Sequence, residues 1–184
     1  MDPSIQDKIK TLQTQIQLIQ QVCTHIRKTP SRFNMQGWIL SLEFYERNFG
    51  THSNLYTPLR NMLFVQQRMR SLRQQKDQTT LCIGGWVCHL TNFHLNEHTP
   101  TPAIISHICI ILNIPLFTAC NLLFASSWPL PLQQRYLLAK SLTEQARIAC
   151  EVIVAILLKP KMKTLQQLHL QSTPSKQPTP EGSP

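Results

Sequence analysis

The sequence predicts an all-α fold: an N-terminal coiled-coil helix, a compact helical domain and a disordered C-terminal tail. Three observations carry this expectation. The chain opens on an unbroken heptad stripe. Apolar residues then recur at helical spacing through most of the body. The end, "QSTPSKQPTPEGSP", is rich in Pro and Ser and almost free of hydrophobic residues. The expected boundaries are 1–30 for the heptad helix, 31–170 for the helical domain and 171–184 for the tail.

Ile5, Ile9, Leu12, Ile16, Ile19, Cys23 and Ile26 are spaced alternately four and three apart, an a/d seam. Asp2 or Ser4 is placed to cap the helix, Pro3 is tolerated in its first turn, and Pro30 stops it. Gln and Thr fill most other positions, so the helix must pair with something. Self-association, with a dimer favoured, is the first expectation. Packing of the same stripe on the chain's own domain is the alternative and needs no partner.

"NMQGWILSLEFYERNF" (34–49) reads as a short aromatic-rich helix, followed by the loop "GTHSN". A further helix starts near Pro58, with Leu59, Met62, Leu63, Gln66, Met69 and Leu72 at helical spacing. Arg60, Arg68, Arg70, Arg73 and Lys76 decorate it and are the candidate partner-binding residues. Their helical angles spread widely, and a solvated face explains them equally well. "KDQTT" is a break. "LCIGGWVCHLTNFHLNE" reads as helical although its two glycines weaken it by roughly 1 kcal/mol each.

"HTPTP" is a turn. Ala103 to Ile114 is a helix, and Pro115 suits the first turn of the next, which runs to about Ser127. "WPLP" breaks the chain. Leu132 to Leu158 is then one long amphipathic helix, ended by Pro160.

No Lys, Arg, Asp or Glu occurs between Glu97 and Arg135. Ala103 to Ala125 is long enough to span a membrane. His107, Asn113, Pro115 and Asn121 argue instead for two buried core helices. A hairpin core of Ile108, Ile111, Leu112, Pro115, Leu122, Leu123 and Trp128 is therefore expected. As a helix-turn-helix, the second helix "LFTACNLLFASSW" has no Arg or Lys to meet phosphates or base edges.

Eighteen Lys and Arg against nine Asp and Glu give a net charge of +9, which favours anionic partners. Charged residues are only 15% of the chain, against about 25% in an average domain. A reading frame overprinted on another gene accounts for this, as does a Gln-rich scaffold. The six cysteines show no C-x-x-C, and "MDPSIQDKIK" lacks signal-peptide features. The expectation is an intracellular protein with reduced thiols in its core. Cys82, Cys88, His94 and His98 have ligand chemistry but not the spacing of a known finger, so no metal is expected. No cofactor motif or nucleophile arrangement occurs, and the acids are few. A non-enzymatic protein is expected.

From Leu42 to Leu142 the chain carries "LEFYERN", then "LYTPLRNMLFVQQRMRSLRQQK", a helix around Trp86, a hydrophobic helix closing on "LNIP" and a Leu-rich helix closing on "SSW". This order resembles the C-terminal half of paramyxovirus C proteins, nearest the morbillivirus type. The resemblance covers about half the chain and rests on short apolar motifs. It implies a helical accessory protein, read from an alternative frame, without catalysis. Such a protein would bind the viral polymerase complex, modulate RNA synthesis and antagonise the host interferon response through innate-immune signalling proteins. Host cytoplasm is the expected location. Nuclear entry lacks a clear signal, since "KPKMK" is short and the basic N-terminal arm of the morbillivirus type is replaced by the heptad helix. Two rivals stand beside it: a membrane-associated protein inserting 103–125, and a coiled-coil nucleic-acid-binding protein with weak RNA contact.

Overall fold

The computed structural model describes residues 3–35, 39–41, 46, 66–67, 69–70, 72–74, 79–96 and 98–172, and these are predominantly helical. Helix α1, Pro3–Lys28, follows the heptad stripe. His25, Arg27 and Lys28 in its last turn oppose the negative end of the helix dipole. Thr29 closes it, with both its N–H and its Oγ1 donating to the His25 carbonyl, at 3.0 and 2.9 Å. A short 3-10 turn, Pro30–Arg32, delivers the fully buried Phe33 to the core.

Strands β1 (Ile39–Ser41) and β2 (Thr79–Leu81) form an antiparallel ribbon pairing Ile39 with Leu81, Leu40 with Thr80 and Ser41 with Thr79. Residues 39–41 were expected in a helix and Thr79–Thr80 in a break, so the structure corrects both. The β-branched threonines suit a strand. Glu46 is helical, as are Gln66, Gln67, Met69, Arg70, Leu72 and Arg73. Asn34, Met35 and Gln74 are not helical, and the remainder of both expected helices lies outside the described residues.

Helix α2, Ile83–Leu90, is capped by Cys82, whose Sγ accepts from the Gly85 N–H at 3.4 Å. Gly84 and Gly85 are buried; packing rather than propensity holds this helix. Helices α3, Thr101–Leu112, and α4, Leu116–Leu123, follow. Between them Asn113 adopts the left-handed conformation (φ 46°, ψ 62°). The Asn113 N–H donates to the Ile110 carbonyl at 3.2 Å and the Ile114 N–H to the Cys109 carbonyl at 3.0 Å. That is a Schellman closure with Asn in the usual glycine position. The two helix axes bend by 112° at this turn, and no single helix among the described residues is long and apolar enough to cross a membrane. Helix α4 stops at Leu123, short of Ser127, and a 3-10 turn, Ala125–Ser127, succeeds it.

The expected single helix from Leu132 to Leu158 is instead broken. Helix α5 is Leu130–Leu138 and α6 is Leu142–Ile153. Ser141 caps α6 by accepting from the Glu144 N–H at 3.1 Å, while a Glu144 carboxylate oxygen accepts from the Lys140 N–H at 2.6 Å. This variant of the capping box makes the break local and polar. Nor does Pro160 end the helix. A π-helical turn, Val154–Leu158, leads directly into α7, Lys159–Ser172. Proline lacks an N–H and crowds the carbonyl four residues earlier. A wider turn just before it gives that ring room.

The core gathers α1, α2, α3, α4 and α6 around Ile19, Ile26, Trp86, Ile108, Leu112 and Ile148, each almost wholly buried. Helix α1 packs on α2, α6 and α7. Ile9, Ile16, Ile19, Cys23 and Ile26 are buried in that packing, with Ile5 and Leu12 half-buried. This is the packing on the chain's own domain that stood as the alternative expectation for the stripe. The chain's own helices cover most of it.

Candidate functional site

The N-terminal half of α1 is less covered than the C-terminal half. Asp7, Thr11 and Gln15, each four residues apart, share one face of the helix and form one wall of an open cleft. The opposite wall is α7, with Pro160, Lys161, Thr164 and Leu168. The α3–α4 turn closes one side with Asn113, Ile114, Pro115 and Thr118, and Leu12, Ile156 and Leu157 add apolar lining. The volume is about 740 Å³, within the usual range for binding clefts.

One polar pair marks its interior. Lys161 Nζ donates to Gln15 Oε1 at 2.7 Å, joining residues 146 positions apart. Gln15 is only 6% exposed. Burial holds the Lys161 ammonium below the usual lysine range. Among the described residues no carboxylate stands within ion-pair distance of it. Asp7 lies two turns along α1, about 12 Å away in rise. With Oε1 engaged, Gln15 Nε2 has no protein partner among the described residues. The remaining Lys161 N–H groups and the Gln15 Nε2 amide therefore give the pair more donors than its one remaining Oε1 lone pair can balance.

Beside the α3–α4 turn, large apolar side chains face solvent: Ile110 is 76% exposed, Leu116 63% and Phe117 75%. They belong to the charge-free stretch of the chain. Such a cluster, next to a cleft, marks a contact surface more readily than scattered exposed residues do.

The expected hairpin residues divide. Ile108, Leu112, Leu122, Leu123 and Trp128 are buried, and the Trp128 indole N–H donates to the Leu122 carbonyl at 3.0 Å. Ile111 is half-buried against the core. Pro115, expected in the core, is exposed and lines the cleft, because the chain turns outward there. Of the basic cluster, Arg60, Arg68 and Lys76 lie outside the described residues. Arg70 is exposed. Arg73 is paired with Glu46, its Nη2 2.9 Å and its Nε 3.3 Å from Oε1; at the surface such a pair contributes little. Cys82 and Cys88 are buried while His94 and His98 are exposed, and no group of three potential metal ligands forms among the described residues.

The chain matches no protein-family model, no curated protein and no solved structure.

Two residues that carry the cleft, Gln15 and Lys161, are absent from the expected site. Gln15 sits one position before Ile16 of the seam, a Gln among many on that helix. Lys161 lies in "KPKMK", which reads as a solvated helix end. The nearest signal is Pro160, which marks a local departure from regular helix at this point.

A second feature is aromatic. Trp86 is buried, stacked on His25 at 5.1 Å, met edge-on by His89 at 5.6 Å and covered by the Arg32 guanidinium at 5.2 Å. Its Nε1 has no hydrogen-bond partner among the described residues, a local cost borne by the surrounding packing. This box ties α1 to α2.

Proposed function

We propose that this protein is a binding protein that works by occupying partner surfaces. The context given by its resemblance to paramyxovirus C proteins is modulation of the viral polymerase and antagonism of the interferon response. One observation carries the reading: the cluster of Ile110, Leu116 and Phe117 exposed on an uncharged hairpin beside an open cleft. Burying each such side chain against a partner is worth roughly 1.5–3 kcal/mol. The motifs "LNIP" and "SSW", on which the resemblance partly rests, fall on this same hairpin.

The test is a pair of reporters in transfected cells, one for interferon induction by double-stranded RNA and one for viral polymerase output. Wild type and a Leu116→Ser/Phe117→Ser variant are compared at matched expression and matched melting temperature. Suppression by wild type that the variant loses supports the reading. Equal suppression by both moves the contact surface elsewhere, and no effect of wild type on either reporter overturns the accessory role.

Membrane association is the second reading, favoured by the same exposed apolar residues on a chain of net charge +9. Alkaline carbonate extraction separates the two, since an inserted protein stays in the pellet. The 112° bend between α3 and α4 argues against a straight insertion of 103–125.

A further inference from the structure

We infer that the cleft between α1 and α7 is the seat of an acidic amphipathic helix from a partner protein, whose carboxylate is received by Lys161 and Gln15. This rests on the binding reading above and names the occupant. Three features of the cleft carry it.

The first is chemical. Lys161 Nζ is half-buried on a neutral amide, and the buried Gln15 has a carboxamide nitrogen with no protein partner. Donor groups in excess of acceptor capacity make a receptor for an anion that itself has two acceptor oxygens, which a carboxylate has. Burial lowers the proton affinity of Lys161 in the free protein, and a carboxylate beside it would restore that affinity.

The second is charge. Lys8 and Lys161 line the cleft against the single acid Asp7, which stands at its far end. The net field favours an acidic visitor and disfavours a basic one.

The third is shape. The walls run along two helices: Asp7 to Gln15 on α1 and Pro160 to Leu168 on α7 each rise about 12 Å, a little over two helical turns. The lining is mainly apolar, from Leu12, Ile114 and Ile156, and the exposed Leu116 and Phe117 follow the lining residue Pro115 directly in the chain. An elongated apolar groove of that length takes a helix through anchors at i, i+3 or i+4, and i+7.

The experiment is selection of displayed random peptides, about 16 residues and so roughly 24 Å long if helical, on the full-length wild-type protein. The expected consensus has apolar residues at i, i+3 or i+4, and i+7 with an Asp or Glu at one fixed position. The best peptide is then synthesised with its acid and with the corresponding amide. Lys161→Met is expected to weaken the acidic peptide about tenfold or more. The amide peptide should lose as much on wild type and little further on Lys161→Met. Thr11→Trp, which fills the cleft, should abolish binding.

No enrichment, a consensus lacking an acidic residue, or affinity indifferent to both Lys161→Met and the acid-to-amide change would overturn the inference. So would binding of anionic phospholipid vesicles lost in Lys161→Met with no peptide enriched, or a second copy of the chain as the occupant. The acid-to-amide arm uses wild-type protein and stays informative if a variant fails to fold. The reporters of the previous section run on Lys161→Met keep the two readings apart. Suppression retained without peptide binding removes the cleft from the function while leaving the accessory role intact.

Discussion

Thiol chemistry follows burial residue by residue. Burial pushes the Cys82 thiol up to about 11 and the Cys88 thiol up to about 12. Cys23 is raised by its contact with Cys150 and by burial, and Cys150 Sγ donates to the Cys23 carbonyl at 3.5 Å. At neutral pH Cys23, Cys82 and Cys88 are un-ionised and poor nucleophiles. Cys109 and Cys120 are half-exposed. Maleimide labelling of native protein, read by mass spectrometry, should modify these two first. The four buried thiols should react only as the protein unfolds.

His107 gives a pH dependence of definite sign. Its ring stacks on Phe93 at 4.4 Å, and its Nε2 lies 2.7 Å from Thr91 Oγ1. The Thr91 hydroxyl proton is directed at the Val87 carbonyl at 2.8 Å, so Oγ1 accepts from Nε2–H. Burial lowers the His107 pKa from 6.5. The unfolded chain therefore binds the proton more readily than the folded one. Stability is complete above about pH 6.5 and falls as the pH drops through the lower, folded value. Thermal unfolding across that window should show the decline, and His107→Phe should flatten it.

Among the elements, the α3–α4 turn is the most sensitive to a single backbone. Asn113→Gly should leave stability nearly unchanged. Asn113→Ala should cost about 1 kcal/mol, because a Cβ without a compensating polar group strains the left-handed conformation. Denaturant titration of the two variants distinguishes them. The location of this turn was legible: Asn113-Ile114-Pro115 in a hydrophobic stretch predicts a break, and the structure places a turn there. The α1 stripe was equally legible as a helix, because period alone predicts it. What the stripe meets was not, since a heptad looks the same whether its partner is a second copy or α2, α6 and α7 of the same chain. The β1–β2 ribbon was illegible for a related reason. Ile39–Ser41 and Thr79–Leu81 are three residues each and owe their state to pairing across a long stretch of chain. The break at Ala139–Ser141 had a local signal in the Ser141–Glu144 cap, which amphipathic periodicity overrode.

For the molecule as a whole, the charge-free stretch has two sides with opposite fates. Leu112 is wholly buried and Ile110 largely exposed, two residues apart. Leu112→Ala should cost about 2–5 kcal/mol as lost transfer energy and cavity, whereas Ile110→Ala should change unfolding free energy by less than about 0.5 kcal/mol. Chemical denaturation of the two reads the difference directly. The helical class was accessible from the sequence because apolar spacing is a local property. The cleft was not, because Gln15 and Lys161 acquire meaning only when the first and last helices lie together, 146 positions apart along the chain. The basic residues singled out by composition report net charge, and composition carries no information on which cation is placed in a cleft.

The π-helical turn at Val154–Leu158 also sets a phase. Each residue of an α-helix turns the chain by about 100°, and a π turn accommodates one residue more than regular winding would. Removing Ala155, an exposed member of that turn, would let the helix rewind as regular α. Everything beyond it would then keep its phase, with Lys161 still on the cleft, because the deletion removes only the residue that the wide turn absorbs. The binding wall is thus encoded partly as a length: the same one-residue deletion within the regular winding of α7, with no wide turn to absorb it, would turn all that follows by about 100°.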